Sequence, residues 1–185
     1  MRNVLIVLSG PSGVGKGTIA KMLVERNQNI ALSISCTTRA PRVGEKHGKE
    51  YFFVSSDEFR RTIKEDGFLE YSEHFENCYG TPKKFVVDKL TCNDVLLEID
   101  VNGGLAVKQN YPEAVLIMLL PPSIEEVRRR LKKRSTETDE KIEMRLSRIE
   151  YELEKQKFYD YTVVNGDLET AYRDVLEIIN KEKNS

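Results

Sequence analysis

The sequence predicts an α/β fold, a parallel sheet flanked by helices and interrupted by a mixed α/β insertion, and three observations lead there. Short, near-continuous apolar runs at residues 4–9, 95–100, 114–120 and 161–165 alternate with longer helical patterns, as expected of strands buried on both faces of a parallel sheet. A glycine-rich stretch, GPSGVGKGT at residues 10–18, separates the first run from the first helical pattern. Residues 33–91 then break the alternation with shorter pieces punctuated by Pro41, Gly44, Gly48 and Gly67, which are turn signals.

The first strand, 4–9, is an uninterrupted apolar run over 4–8 that ends in Ser9, where the glycines begin. Gly10, Gly13 and Gly15 let the backbone turn its N–H groups around an anion, and a helix over 16–26 aims its positive end at the same place. Strand, glycine-rich turn and helix start together form the context of a phosphate-binding loop, in which Lys16 supplies a mobile charge. One letter departs from the usual pattern: Gly17 stands where Ser or Thr is customary, with Thr18 after it. The hydroxyl that would meet a magnesium ion is thereby displaced or absent.

Within the insertion, residues 32–38, 50–54 and 68–75 read as strands and 57–64 as a helix. The later strands 95–100, 114–120 and 161–165 return to the sheet. Ser123, following Pro121 and Pro122 and three residues before Glu126, is an N-cap signal. Helices are expected over 124–133, 140–157 and 168–181, and residues 128–148 are dense in arginine and lysine.

The 185 residues suit one domain with a real core. Lys and Arg number 29 against 30 Asp and Glu, so no general attraction to nucleic acid or anionic membrane follows, and phosphate binding must come from local clusters. The apolar runs are far shorter than the ~20 residues that span a bilayer. Neither a leader nor an anchor is expected, and the protein is expected to be cytoplasmic. Cys36, Cys78 and Cys92 form no Cys-x-x-Cys pair, which argues against a disulfide framework or a zinc site. His47 and His74 are the only histidines, and neither suggests a metal or triad role.

Chemistry concentrates in a few further places. Arg39 and Arg42 flank Pro41, which favours an extended or turn conformation, and two close guanidiniums repel unless an anion bridges them. Asp100 ends an apolar strand, where ligands meet an open α/β sheet. It is placed to hold magnesium through water or to join a base-binding site, and the sequence leaves both open. Glu98 lies in the same strand.

These residues carry a resemblance. The glycine-rich loop, Ser35-Cys-Thr-Thr-Arg39 with Pro41-Arg42, Gly44-Glu45, Gly48-Lys-Glu-Tyr51, Phe68-Leu-Glu70, Tyr79-Gly80 and Leu97-Glu-Ile-Asp100 resemble the guanylate kinase family. The likeness continues through Pro121-Pro122-Ser123, Arg134 with Thr136 to Thr138, Arg145-Leu146 and Val164-Asn165, so it covers nearly the whole chain. It implies a P-loop core (1–32, 92–127, 149–185), a GMP-binding insertion (33–91) and a lid (128–148). The implied activity is transfer of the γ-phosphoryl group of ATP to GMP or dGMP, with Mg2+ accompanying ATP. Only small molecules are implied as partners, neither nucleic acid nor membrane.

Position by position, the resemblance implies ATP binding by Gly10, Pro11, Ser12, Gly13, Val14, Gly15, Lys16, Gly17 and Thr18, with Asn165 near the adenine. Arg39, Arg42, Tyr51 and Tyr79 match ligands of the GMP phosphate, and Ser35, Glu70 and Thr81 match readers of guanine, with Asp100 beside them. Lys16, Arg130, Arg134 and Arg145 match the catalytic cations. A carboxylate at Glu70 suits the guanine N1 and N2 donors, and hydroxyls suit O6. The competing readings are a family-like binding module that has lost catalysis, against which Lys16 and the lid arginines speak, and a P-loop kinase for another nucleotide or phosphosugar, against which Ser35 and Glu70 speak.

Overall fold

The computed structural model describes residues 2–74, 77–134 and 139–185, and of 74, 130–134, 139–142 and 145 the backbone alone. Its elements run β1 (Leu5–Ser9), α1 (Lys16–Arg26), β2 (Ile30–Leu32), β3 (Cys36–Thr37), β4 (Phe52–Phe53), α2 (Ser56–Lys64), β5 (Phe68–His74) and β6 (Asn77–Pro82). They continue through α3 (Lys83–Leu90), β7 (Asp94–Glu98), α4 (Val101–Asn110), β8 (Val115–Leu120), α5 (Ile124–Arg134), α6 (Asp139–Leu153), a 3-10 turn (Glu154–Phe158), β9 (Tyr161–Val164) and α7 (Leu168–Lys183).

Five strands form a parallel sheet in the order β2-β7-β1-β8-β9. β1 is its centre, with Ile6 opposite Leu96 on one side and Val115 on the other. Because side chains alternate across a strand, this single run feeds two cores. Ile6 and Leu8 pack with Ile19 and Leu23 of α1 and Val175 and Ile179 of α7, whereas Leu5 and Val7 pack with Val86 of α3 and Val101 and Val107 of α4. Burial on both faces explains why β1 reads as unbroken apolar sequence rather than as an alternation.

The second sheet has the order β4-β3-β6-β5 and is mixed. β3 runs parallel to β4 and antiparallel to β6, and β5 and β6 pair antiparallel. The expected single strand over 32–38 is in fact two. Ile30–Leu32 pairs with β7 in the parallel sheet and Cys36–Thr37 pairs in the mixed one, so the chain changes sheets across Ser33 to Ser35. α2 begins with a reciprocal cap: the Ser55 hydroxyl accepts from Glu58 N–H while the Glu58 carboxylate accepts from Ser55 N–H. At Ser123 the expected cap is present, its hydroxyl accepting from Glu126 N–H at 3.1 Å.

Two helices, α3 and α4, and strand β6 escape the sequence reading. α4 contains Gly103 and Gly104, which disfavour helix, yet the interior demands them. A Cβ on Gly104 would lie 2.3 Å from the Tyr159 hydroxyl and one on Gly103 would lie 3.2 Å from the Glu70 carboxylate. Helix 140–157 also ends early, giving way to the 3-10 turn after Leu153.

The C-terminal helix is tied down by a buried ion pair. Lys183 Nζ donates to Asp94 Oδ2 at 2.6 Å, and Asp94 Oδ1 accepts from Val4 N–H at 3.0 Å. The Asp94 side chain is only 2% exposed and that of Lys183 16%. Removing one member of such a pair strands the other charge and costs roughly 3 to 5 kcal/mol. Asp94→Ala is therefore expected to lower the unfolding free energy by about 3 kcal/mol or more, read from the shift of the urea midpoint at constant slope.

Candidate functional site

The phosphate loop leaves β1 at Ser9 and turns through Gly10 and Gly15, whose φ angles are 146° and 105°. Only glycine fits at either place: a Cβ on Gly10 would lie 2.4 Å from the Leu119 carbonyl oxygen, and one on Gly15 would lie 2.5 Å from Asn165 Nδ2. Gly15 caps α1 without a side-chain hydrogen bond and no acidic residue occupies the first turn, so the helix presents its N–H groups and positive end to the loop. Lys16 Nζ donates to the carbonyls of Gly10 at 2.6 Å and Pro11 at 3.1 Å. Burial lowers the Lys16 pKa, while Glu98, Glu152 and Asp100 work against that shift.

Asn165 is buried and donates through Nδ2 to the Val14 carbonyl at 2.7 Å, while its own N–H donates to Leu120 O at 2.8 Å. In this structure its amide holds the loop against the end of β8. Ser12, Gly17 and Thr18 are exposed, and Pro11 and Val14 are buried beneath the loop.

A cavity of about 350 Å³ is lined by Ser35, Tyr51, Glu70, Ser72, Tyr79, Glu98, Ile99 and Asp100, and the Glu98 carboxylate lies beside Gly17 of the loop. β5 and β6 of the mixed sheet, the approaches to β3 and β4, and the C-terminal end of β7 supply these groups. Glu70 is 7% exposed, and its Oε1 accepts from the Thr81 hydroxyl at 2.6 Å. Burial pushes the Glu70 pKa up and the neighbouring Asp100 adds to the rise, while the Thr81 hydrogen bond opposes it. Asp100 caps α4, its Oδ1 accepting from Gly103 N–H at 2.8 Å, and its carbonyl accepts from the Ser9 hydroxyl at 3.2 Å.

At the rim, Arg39 grips both oxygens of Glu45 at 3.0 Å and donates to Ala40 O at 2.8 Å. Its guanidinium lies 5.6 Å from the Tyr51 ring centroid, and Tyr51 meets Tyr79 edge-on at 6.0 Å. Arg42 has an exposed side chain, and its N–H donates to Glu45 Oε2 at 2.8 Å. Glu45 thus supplies an internal anion to the Arg39 guanidinium and to the Arg42 backbone N–H, and Arg39 holds its pKa low. The signal was in the sequence, since Glu45 follows Arg42 by three residues, but nothing in the spacing says that the chain turns back to bring it onto Arg39.

The structure brings together Ser35, Tyr51, Glu70, Tyr79 and Asp100 at one cavity and Thr81 behind Glu70. The side chains of Arg130, Arg134 and Arg145 lie outside the described residues. Ser72, Tyr159 and Glu152 were not singled out by sequence. Tyr159 donates to Val101 O at 2.9 Å, fixing the start of α4, and Glu152 is buried near Lys16. Cys36, beside Ser35, is a poor nucleophile, because burial pushes its pKa up to about 11 and the nucleophilic thiolate is scarce at neutral pH.

A family model described as guanylate kinase matches residues 2–182. A guanylate kinase of Caldanaerobacter subterraneus subsp. tengcongensis is 51% identical over 98% of this chain and 89% of its own length, and one of Thermus thermophilus is 48% identical over 99% and 83%. The crystal structure of guanylate kinase from Anaplasma phagocytophilum superposes with a TM-score of 0.77 at 35% identity, covering 100% of this chain and 88% of that one.

The raised pKa of Glu70 has a sign that can be checked by stability. A carboxyl whose folded pKa exceeds its unfolded value lends stability fully below the unfolded value, ordinarily 4.5, and loses it as pH rises through the folded one. Above its folded pKa the ionised side chain is therefore a burden on the fold. Glu70→Gln is expected to melt at or above the wild-type temperature at pH 8, with the difference closing as pH falls toward 4.5. Thermal melts across that range read it directly.

Proposed function

The chain belongs to the guanylate kinase family, nucleoside monophosphate kinases, and from that premise we propose that it transfers the γ-phosphoryl group of ATP to GMP or dGMP, giving ADP and GDP or dGDP, as an enzyme of purine nucleotide metabolism. The observation that carries the substrate assignment is Glu70: a buried carboxylate, tied to Thr81, in a cavity whose lining residue Glu98 lies against Gly17 of the phosphate loop. Guanine offers adjacent N1 and N2 donors to one carboxylate, whereas adenine presents an acceptor at N1. A site built on such hydrogen bonds rejects an analogue lacking them by about 10⁴ to 10⁵, because its own polar groups are left unpaired.

In this reading the work divides among three regions: a core (1–32, 92–127, 149–185), a GMP-binding insertion (33–91) and a lid (128–148). Ser35, Glu70 and Thr81 hold the base, with Asp100 beside them. Tyr51, Tyr79, Arg39 and Arg42 hold its phosphate. The loop from Gly10 to Thr18 wraps the ATP phosphates with backbone N–H groups, as the positive end of α1 favours. Lys16 shifts from its loop carbonyls onto the phosphates, and Arg130, Arg134 and Arg145 close from the lid. A GMP phosphate oxygen attacks the γ-phosphorus, the bond to the β–γ bridging oxygen breaks, and ADP leaves with that oxygen. Positioning and neutralisation of charge carry most of such a rate.

Among the described residues no three carboxylate, histidine or cysteine side chains converge on a point, and Gly17 carries no hydroxyl. This donor set fits a Mg2+ held chiefly by phosphate oxygens and water, the usual preference of that ion, with Asp100 and Glu98 available to its water shell. When bound with ATP, the ion would neutralise phosphate charge.

The test is ADP release, measured with GMP, dGMP, AMP, UMP and CMP as acceptors. GMP and dGMP are expected to turn over and AMP to lag far behind. Glu70→Gln should lower kcat/KM for GMP at least about 100-fold while leaving ATP binding intact. An unchanged preference for GMP in that variant would remove Glu70 as the reader of the base.

Lys16→Ala gives a second prediction. Its loss should reduce kcat by about 10²- to 10³-fold, the usual scale for one donor acting on developing charge, with folding retained by circular dichroism. Turnover near wild type would end the kinase assignment of this loop.

A further inference from the structure

Resting on the reading of the cavity as a guanylate site, we propose that Ser72 is a further specificity-determining residue, its hydroxyl donating to the N7 acceptor of the bound guanine so that the pocket reads two edges of the base. Ser72 lies on β5 two residues beyond Glu70, and both line the cavity. Alternation along the strand explains this: the intervening Tyr71 and the following Glu73 are exposed, whereas Glu70 is buried and Ser72 half-buried. The register with β6 sets Glu70 opposite Thr81 and Ser72 opposite Tyr79. The wall of the cavity is therefore a ladder whose first rung, Glu70 with Thr81, faces the Watson–Crick edge. Its second rung, Ser72 with Tyr79, lies about 7 Å further along at an ordinary strand rise, a step comparable with the width of a purine.

The two residues of the second rung differ in reach. Tyr79 is long and extends toward Tyr51 and Arg39, the phosphate side. Ser72 is short and stays at the wall, where the nearest part of a base held by Glu70 is its other hydrogen-bonding edge. Guanine presents N7 there, an acceptor without a proton, and a serine hydroxyl is a donor that can turn to meet it. Supply is not a difficulty, for the Ser72 hydroxyl makes no hydrogen bond to the described residues, in contrast to Glu70 and Asp100, which already accept from Thr81 and Gly103. Because adenine also carries N7 and pyrimidines do not, Ser72 would favour any purine, and the rejection of adenine would remain with Glu70.

The inference is tested by isothermal titration of wild type and Ser72→Ala with GMP, 7-deaza-GMP, in which a C–H replaces N7, and dGMP. One neutral hydrogen bond corresponds to a change of about 5-fold in affinity. Wild type is expected to bind 7-deaza-GMP about 5-fold more weakly than GMP, Ser72→Ala to bind GMP about 5-fold more weakly than wild type does, and the variant to treat the two nucleotides alike. The ratio of dGMP to GMP affinity should be the same in both proteins. Equal losses for GMP and 7-deaza-GMP in the variant would overturn the proposal, as would a change in the dGMP ratio, which would assign the hydroxyl to the ribose. Failure of wild type to turn over GMP that it binds would instead strike the kinase reading, leaving the contact to be judged by the titration.

Discussion

The constraint on which the rest of the structure depends is the placement of β1. It is hydrogen-bonded along both edges, to β7 and β8, and covered on both faces, so no part of it can move without opening two cores at once. The phosphate loop starts at the end of this most restricted strand. The loop is then held by backbone approach: Gly10 passes against Leu119 O, Gly15 against Asn165, and Asn165 bonds Val14 O. A flexible-looking run of glycines is thereby fixed in shape, with its N–H groups oriented before any anion arrives, which is how such a site avoids the entropy of ordering at the moment of binding.

The same logic places Glu70. Burying a carboxylate is costly, and the raised pKa is the mark of that cost. What the fold supplies around it is local: the Thr81 hydroxyl on one oxygen and, near the other, the glycine step of α4. Gly103 serves twice there, its N–H holding Asp100 and its missing side chain leaving room for Glu70. Tyr159 and Gly104 lock the same turn from the other side. A helix made of poor helix formers is the consequence of what its first turn must accommodate.

How much of this was legible follows from where each signal resides. The four long strands of the parallel sheet are visible because double-sided burial writes them as apolar runs, and the loop because its glycines are required by backbone geometry. α4 was not visible, since its glycines answer to Tyr159 and Glu70, which are distant in sequence. The split of 32–38 between two sheets was hidden because strand patterning carries no label for the partner strand. β6 and α3 were obscured by the short, polar texture of the insertion. At the site, residue types matching the family pointed to Ser35, Glu70 and Tyr79, whereas Ser72 declares itself only through register, two residues along one wall from Glu70.

Arg39 and Lys16, the cations that the proposed function assigns to phosphates, share a further property that composition does not reveal. Arg39 is clamped by Glu45, and Lys16 by the carbonyls of Gly10 and Pro11. Each charge is thus held by an acceptor of the protein's own, which prevents like charges from scattering into solvent and fixes the direction of each donor. An incoming phosphate has to compete with these acceptors, so part of the raw Coulombic gain is given up. The two cases differ in kind. The Lys16 acceptors are neutral carbonyls, easily displaced by a polyphosphate, whereas Glu45 is a full carboxylate that Arg39 keeps ionised. A guanidinium has five donors, enough to serve Glu45 and a phosphate together. In the proposed reaction the arginine is therefore suited to remain in place as a fixed edge of the acceptor site, while the lysine is suited to move with the group being transferred.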